Sequence, residues 1–553
     1  MSDTAAGLLQ VGLLLALLAV VYVQFGDYMF RVYTDKRHLR AEQVIYRLVR
    51  VDPDADQRWT TYAAGVLGLS AVSIVLLYLL QRLQSLLPLS LGRGNVEPGI
   101  AFNTAVSFVT NTNWQSYVPE TVMGHFVQMA GLTVQNFLSA AVGMAVAVAL
   151  IRGFVRSRTD RLGNFWVDLT RGVVRILLPI SVLGAIVLIT GGVAMSLRAG
   201  VAVTGLDGNS STVALAPAAS QEVIKELGTN GGGIFNANSA HPFENPASWT
   251  NLLEIFLLLV IPVSLTRTFG RMVGNVKQGY ALVTVMGLLW AVMLSTAWWA
   301  ETHPNGPVTL TAGAALEGKE GRFGIPASTL FAISTTGTST GAVNSMHDSF
   351  TGLGGGIAML HILLGEVSPG GTGTGLYSLL VFAVIAVFLA GLMVGRTPEY
   401  LGKKLGRREV TAASISILTM PTLVLLGAGA ALVPPSTMNA LNNSGAHGLS
   451  EVLYAYASTS NNNGSAFSGI TVTNGWFQST LGIAMALGRF VPILAVLCLA
   501  GSLARQKTVP VTAGTLPTTG GLFVAMVAGT VLLVAALTFV PAMALGPFAE
   551  ALV

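Results

Sequence analysis

The chain has little charge. Asp, Glu, Lys and Arg together make up 10% of its 553 residues, against 52% hydrophobic residues, and the mean hydropathy is +0.65. A soluble protein of this length could not bury that much apolar surface, so the composition excludes one and points to a chain that crosses a membrane many times. There is one cysteine, Cys498, which excludes a disulfide framework and a cysteine-based metal site. Its place in an apolar run predicts an inert interior thiol. No G-x-x-x-x-G-K-[ST] phosphate loop occurs, and the longest segment between spans on the basic side, about 35 residues, is too short for a nucleotide domain. The chain alone is therefore not expected to be an enzyme, and no catalytic residue is assigned. The first apolar run, Ala6–Phe25, follows Asp3 and no Lys or Arg, so it lacks the basic flank of a signal peptide and reads as a retained helix.

What the chain has in excess is glycine, 63 residues. Membrane helices use it for close packing, and irregular backbone at membrane depth also needs it. Apolar runs define ten spans. The seventh is broken: Phe350–Leu364 and Leu376–Val394 flank a glycine-rich interruption at Ser368–Gly375. Alternate loops hold 23 of the 30 Lys and Arg, in Arg31–Arg58, Arg152–Arg175, Arg267–Lys277, Arg396–Arg408 and Arg505–Lys507. By the positive-inside rule these loops are cytoplasmic and both termini lie outside. The net charge of +5 thus reflects topology, and no nucleic-acid partner is expected. Clusters such as Arg31–Arg58 and Arg396–Arg408 could also meet anionic lipid headgroups or a partner subunit.

Four polar, uncharged stretches recur along the chain. They are Asn111-Thr112-Asn113, Thr229-Asn230-Gly231 (in the glycine-dense run Leu227–Ile234), Ser339-Thr340-Gly341 and Asn462-Asn463-Gly464. Each follows a short helical pattern and precedes a span. The first helix is expected over Ala101–Thr110. The second is capped at Ser220-Gln221-Glu222 and ends at Leu227-Gly228. The third runs from Pro326 to Ser334, and the fourth from Ser450-Glu451 to Ala457. Alone, each Asn-Gly-type stretch would read as a surface turn. Four in register, all on the outer side of the predicted topology, read instead as a repeat of helix, re-entrant helix, polar stretch and helix. The expected fold is an all-α polytopic membrane protein. It has a first helix over 1–30, pore units over 62–151, 172–269, 279–395 and 411–503, and a last helix over 520–553. Around one axis, the carbonyls of four such stretches can replace the hydration shell of an alkali cation, and the negative ends of the short helices favour a cation there.

These stretches, with Thr110–Gln115, Gly228–Gly233, Asn236–Ser239, Thr338–Asn344 and Asn461–Phe467, closely resemble the potassium-binding subunits of bacterial Kdp potassium-transporting ATPases, members of the superfamily of potassium transporters. The resemblance runs over essentially the whole chain. It implies a K+ filter lined by Asn111, Thr112, Asn113, Thr229, Asn230, Gly231, Ser339, Thr340, Gly341, Asn462, Asn463 and Gly464, with Gln115 and Gly232 tuning affinity. It also implies the bacterial inner membrane and three partners: a P-type ATPase catalytic subunit, a single-span accessory subunit and a very small membrane peptide. Asn113 stands where the other units have glycine, and Thr340 stands where relatives can carry cysteine. A stand-alone passive channel or ion-coupled transporter of the same superfamily is the rival reading; the extra first and last spans weigh against it.

Two ionisable residues sit within apolar regions, Glu366 beside the break and Arg489 in the ninth span. With Gly370 and Gly371 they are gate or pathway candidates, although a purely structural ion pair and glycine-mediated packing account for the same pattern. Glu120 and Asp348 could concentrate cations at the outer mouth, but are expected to be ordinary solvated loop carboxylates. His361 is expected to be a hydrogen-bonded interior side chain.

Overall fold

The computed structural model describes residues 3–303, 315–510 and 515–552; part of the polar loop expected before Pro326 lies outside them. Among the described residues, ten helices are long and apolar enough to cross a membrane. They are Asp3–Thr34, Trp59–Arg82, Val127–Val155, Phe165–Thr190, Ser248–Met272, Val276–Thr302, Thr374–Met393, Arg407–Ala431, Gly475–Arg505 and Gly521–Leu545. The seventh is preceded by the shorter apolar helix Gly352–Leu363, so the break expected at Ser368–Gly375 separates two half-helices.

The spans form two layers. In each unit the short helix lies against a span on either side: Pro98–Val109 in unit 1, Ala218–Leu227 in unit 2, Gly324–Gly337 in unit 3 and Gly445–Ser460 in unit 4. The spans that follow the filters (Val127–Val155, Ser248–Met272, Thr374–Met393 and Gly475–Arg505) touch one another across the middle. The first three are mostly enclosed, 83%, 72% and 61% of the apolar stretch, and Gly475–Arg505 is half enclosed, against 17% in Asp3–Thr34. The first span packs along Ser248–Met272 and turns Leu8, Leu9 and Val20 outward. That layering follows from lipid as solvent: outward faces need only be apolar, whereas the inner ring must satisfy every polar group within protein.

The basic loops meet on one face. Arg152 pairs bidentately with Asp168 at 2.5 and 2.8 Å, and Tyr62 Oη donates to the same carboxylate. Lys403 Nζ donates to Arg156 O, and Thr159 N to Ala504 O, so three separate basic segments are stitched together. Three sequence expectations are corrected. Ser220 does not cap its helix, which starts at Ala218 behind Pro217; Ser450 lies inside a helix that starts at Gly445. Cys498 is exposed on the outside of the ninth span rather than interior. The stretch after the fourth span contains an antiparallel hairpin pairing Gly200–Thr204 with Ser210–Ala214.

Candidate ion-binding site

The four short helices end in the same way. Their capping residues Thr110, Gly228, Thr338 and Asn461 have φ between −84° and −100° and ψ near zero. The next residues, Asn111, Thr229, Ser339 and Asn462, all take the left-handed conformation, with φ of 66°, 47°, 50° and 52°. The amide after each donates back to a carbonyl five residues earlier. Thr112 N bonds Ser107 O at 2.9 Å, Asn230 N bonds Lys225 O at 2.8 Å, Thr340 N bonds Thr335 O at 3.0 Å and Asn463 N bonds Ser458 O at 2.8 Å. This is the Schellman termination, which usually places glycine at the left-handed position. Here no unit uses glycine, and Thr229, with its branched Cβ, is the most strained of the four. The motif turns the chain sharply from helix into filter strand, so the filter starts at a fixed place relative to each helix end.

Beyond that residue the strands converge. A Cβ on Gly231 would overlap Gly341 Cα, one on Gly341 would lie 2.9 Å from the Gly464 carbonyl carbon, and one on Gly464 would overlap Thr112 O. Only glycine lets the three strands approach this closely. The strands also touch through Gly341 N, which donates to Asn230 O at 3.0 Å. The fourfold symmetry is imperfect in detail: Asn113 and Gly464 are left-handed, φ 60° and 93°, whereas Gly231 and Gly341 are not. Asparagine tolerates that conformation better than other side-chain-bearing residues, which is how unit 1 dispenses with the glycine.

The side chains expected at the filter mostly brace the strands through hydrogen bonds. Asn111 Nδ2 donates to Thr229 O at 2.7 Å, and Asn462 Nδ2 to Thr112 Oγ1 at 2.9 Å; each links neighbouring strands. Asn230 Nδ2 reaches back to Asn136 O, and Ser139 Oγ bridges Asn111 and Asn230. Thr110 and Thr338 each bond the hydroxyl two residues on, Thr112 and Thr340, at 2.8 Å. Gln115 bonds Gly233 in both directions, at 3.0 and 3.2 Å. Gly232 is left-handed, and a Cβ there would sit 2.8 Å from Phe108 Cζ.

The second strand has a further support that sequence reasoning missed. Lys225 is fully buried and its Nζ lies 2.5 Å from Glu222, 3.2 Å from Glu244 and 3.0 Å from Asn238 Oδ1. Asn238 Nδ2 in turn donates to the filter carbonyl of Gly232 at 2.7 Å, and Glu244 accepts from Ile234 N and Phe235 N. The one available signal was the density of charge in Glu222–Glu226 next to an uncharged strand; it reads equally as a solvated helix face.

The intramembrane break lies against the same strands. Gly370 N donates to Gly337 O at 2.7 Å, and Thr372 N donates to Thr229 Oγ1 at 2.8 Å. A Cβ on Gly371 would fall 3.0 Å from Glu366 and 3.2 Å from Thr338 O. Glu366 and Arg489 are 3.8 Å apart, both largely buried. They line a cavity of about 70 Å³ with Tyr377, Ser460, Asn461 and Phe539, at the end of the fourth short helix. His361 is buried and bonded to Thr336, as expected of an interior histidine. Glu120 accepts from Asn236 N, while Asp348 is not simply solvated but bonded to His447.

The family model described as potassium-transporting ATPase A subunit matches residues 12–552. Proteins named potassium-transporting ATPase potassium-binding subunit are 62% identical in Rhodococcus opacus, 61% in Rhodococcus erythropolis and 58% in Streptomyces coelicolor, each alignment covering the whole of both chains. The potassium transporter TrkH from Vibrio parahaemolyticus has the same fold, with a TM-score of 0.52 and 14% identity over 78% of this chain and 84% of its own. The match over nearly the full length places this chain in the potassium-transporting ATPase A subunit family.

Proposed function

We propose that this chain binds K+ at the meeting point of its four filter strands and acts as the potassium-selecting subunit of an ATP-driven uptake complex. The observation that carries this reading is the fourfold helix termination, followed by contacts among Gly231, Gly341 and Gly464 that admit no side chain. A ring of backbone carbonyls held by buried amides and hydroxyls suits a dehydrated alkali cation, and the four helix C-termini add partial negative charge. The basic loops collect on one face, which supports a cytoplasmic assignment for that face, both termini outside and entry of K+ from the outer side of a bacterial inner membrane. ATP hydrolysis belongs to a P-type ATPase subunit, with a single-span subunit and a small membrane peptide as further partners.

Below the filter, the Glu366–Arg489 pair and the loop Ser368–Gly375 close the path. The loop's bonds to Gly337 and Thr229 put it within direct reach of strands 2 and 3. Glu366→Gln should abolish transport in a complex that still assembles; unchanged transport would make the pair structural.

The site itself is tested by K+ binding to the purified chain with Na+ as competitor, for wild type and Gly231→Asp. Selective binding in wild type and its loss in the variant place the ion among the strands. Equal binding by both forms would move the site elsewhere.

A further inference from the structure

His447 stands in the first turn of the fourth short helix, far from the filter end of that helix. Its ring is held between carboxylates from distant segments. Nδ1 is 2.8 Å from Glu550 Oε1, in the terminal helix Pro547–Ala551, and Nε2 is 3.0 Å from Asp348 Oδ1, in the turn that follows the third filter strand. A third carboxylate, Glu451, lies one turn further along His447's own helix, and an oxygen of Glu451, an oxygen of Asp348 and a nitrogen of His447 all fall within 4.8 Å of one another. Glu451 is fully buried. Its Oε1 accepts from Asn443 Nδ2, but its Oε2 is buried without a hydrogen-bond partner.

The charges do not balance from within the chain. Among the described residues no Lys or Arg forms an ion pair with Asp348, Glu451 or Glu550, so even a doubly protonated His447 offsets one of three carboxylates. A ring whose Nδ1–H is held by one carboxylate while Nε2 faces others has the arrangement of a histidine metal ligand with its supporting acid.

We propose that His447 Nε2, Asp348 and Glu451 bind a divalent transition metal of the zinc type, with Glu550 orienting the imidazole from behind. Zinc accepts mixed nitrogen and oxygen ligands at about 2.0–2.2 Å, which spaces neighbouring ligand atoms roughly 3–3.5 Å apart. The Nε2–Oδ1 distance of 3.0 Å already fits, and Glu451 closes by turning its side chain. His447 and Asp348 are 24% and 17% exposed, so water can fill the fourth position and metal can exchange. The bound ion would join the rim after the third strand, the start of the fourth short helix and the chain's last helix.

The full-length chain, purified in detergent and stripped with EDTA, would be titrated with zinc chloride, with bound zinc counted by mass spectrometry. One zinc per chain is expected in wild type. It should be lost in His447→Gln and Asp348→Asn, and bound about 10–100-fold more weakly in Glu550→Gln. Cobalt in place of zinc should give a visible absorption band that His447→Gln removes. K+ binding by the same samples reports that the filter is intact, since none of these residues belongs to it. Zinc affinity and stoichiometry equal in wild type and His447→Gln would overturn the proposal and leave an imidazolium ion pair only. If the His447→Gln sample fails to bind K+, Asp348→Asn and Glu451→Gln decide by the same criterion.

Discussion

The second and fourth filter strands leave their helices through the same backbone turn but are held by different chemistry. Behind strand 2 stands a buried ionic assembly, Lys225 with Glu222 and Glu244, acting on the Gly232 carbonyl through Asn238. Behind strand 4 the supports are neutral. Tyr454 Oη bonds Ser465 Oγ at 2.8 Å and His347 Nδ1 at 2.7 Å, Ser465 bonds Asn463, and Asn463 Nδ2 reaches Thr335 O. Burial pushes the His347 pKa down to about 4, so this chain of bonds carries no charge at neutral pH. One backbone geometry can therefore rest on either kind of brace. The difference lies in what failure costs: removing one partner of a buried ion pair strands a charge, whereas removing one neutral partner leaves a modest deficit.

That contrast is broken most severely at Lys225. Lys225→Met leaves Glu222 and Glu244 without their counter-charge, a cost of about 3–5 kcal/mol, and should weaken K+ binding by at least about 10²-fold in the purified chain. Near-normal affinity in this variant would show that the ionic brace is dispensable. Asn238→Ala removes the link to Gly232 O and one neutral acceptor of Lys225 Nζ while leaving the carboxylates in place; a loss of about 1–3 kcal/mol should appear as a reduced K+/Na+ preference in competition binding, with the chain still monodisperse on size exclusion. Tyr454→Phe, on the neutral side, should cost about 1 kcal/mol, a several-fold change in K+ affinity at most. If Tyr454→Phe proved as damaging as Lys225→Met, the distinction between the two braces would collapse.

Much of the strand arrangement was legible in the sequence, for identifiable reasons. The four polar stretches stood out because uncharged Asn, Thr, Ser and Gly are costly between membrane spans unless they line something. The broken seventh span was legible because Ser368–Gly375 interrupts an otherwise apolar run. The left-handed residues were not, since the rule for helix ends anticipates glycine and this chain uses Asn111, Thr229, Ser339 and Asn462. Ser220 and Ser450 were misread as caps because Ser followed by an acid imitates one, while Pro217 and Gly445 set the real starts. Cys498 was misplaced because a uniformly apolar span has no periodic signal separating its lipid face from its protein face. Asp348 was misread, and the buried Lys225–Glu222 assembly missed, for one reason: charge in a sequence suggests water, and only tertiary structure supplies the partners that keep it dry.

The four short helices contain 12, 10, 14 and 16 residues, yet all deliver their strands to the same point. Because each is anchored at its filter end, residues gained or lost at the other end leave the ion path undisturbed. Successive copies of the unit are thus free to diverge in length at the rim, where new attachments can be tried without risk to selectivity. The fourth copy is the longest, and its first turn is the one that carries His447.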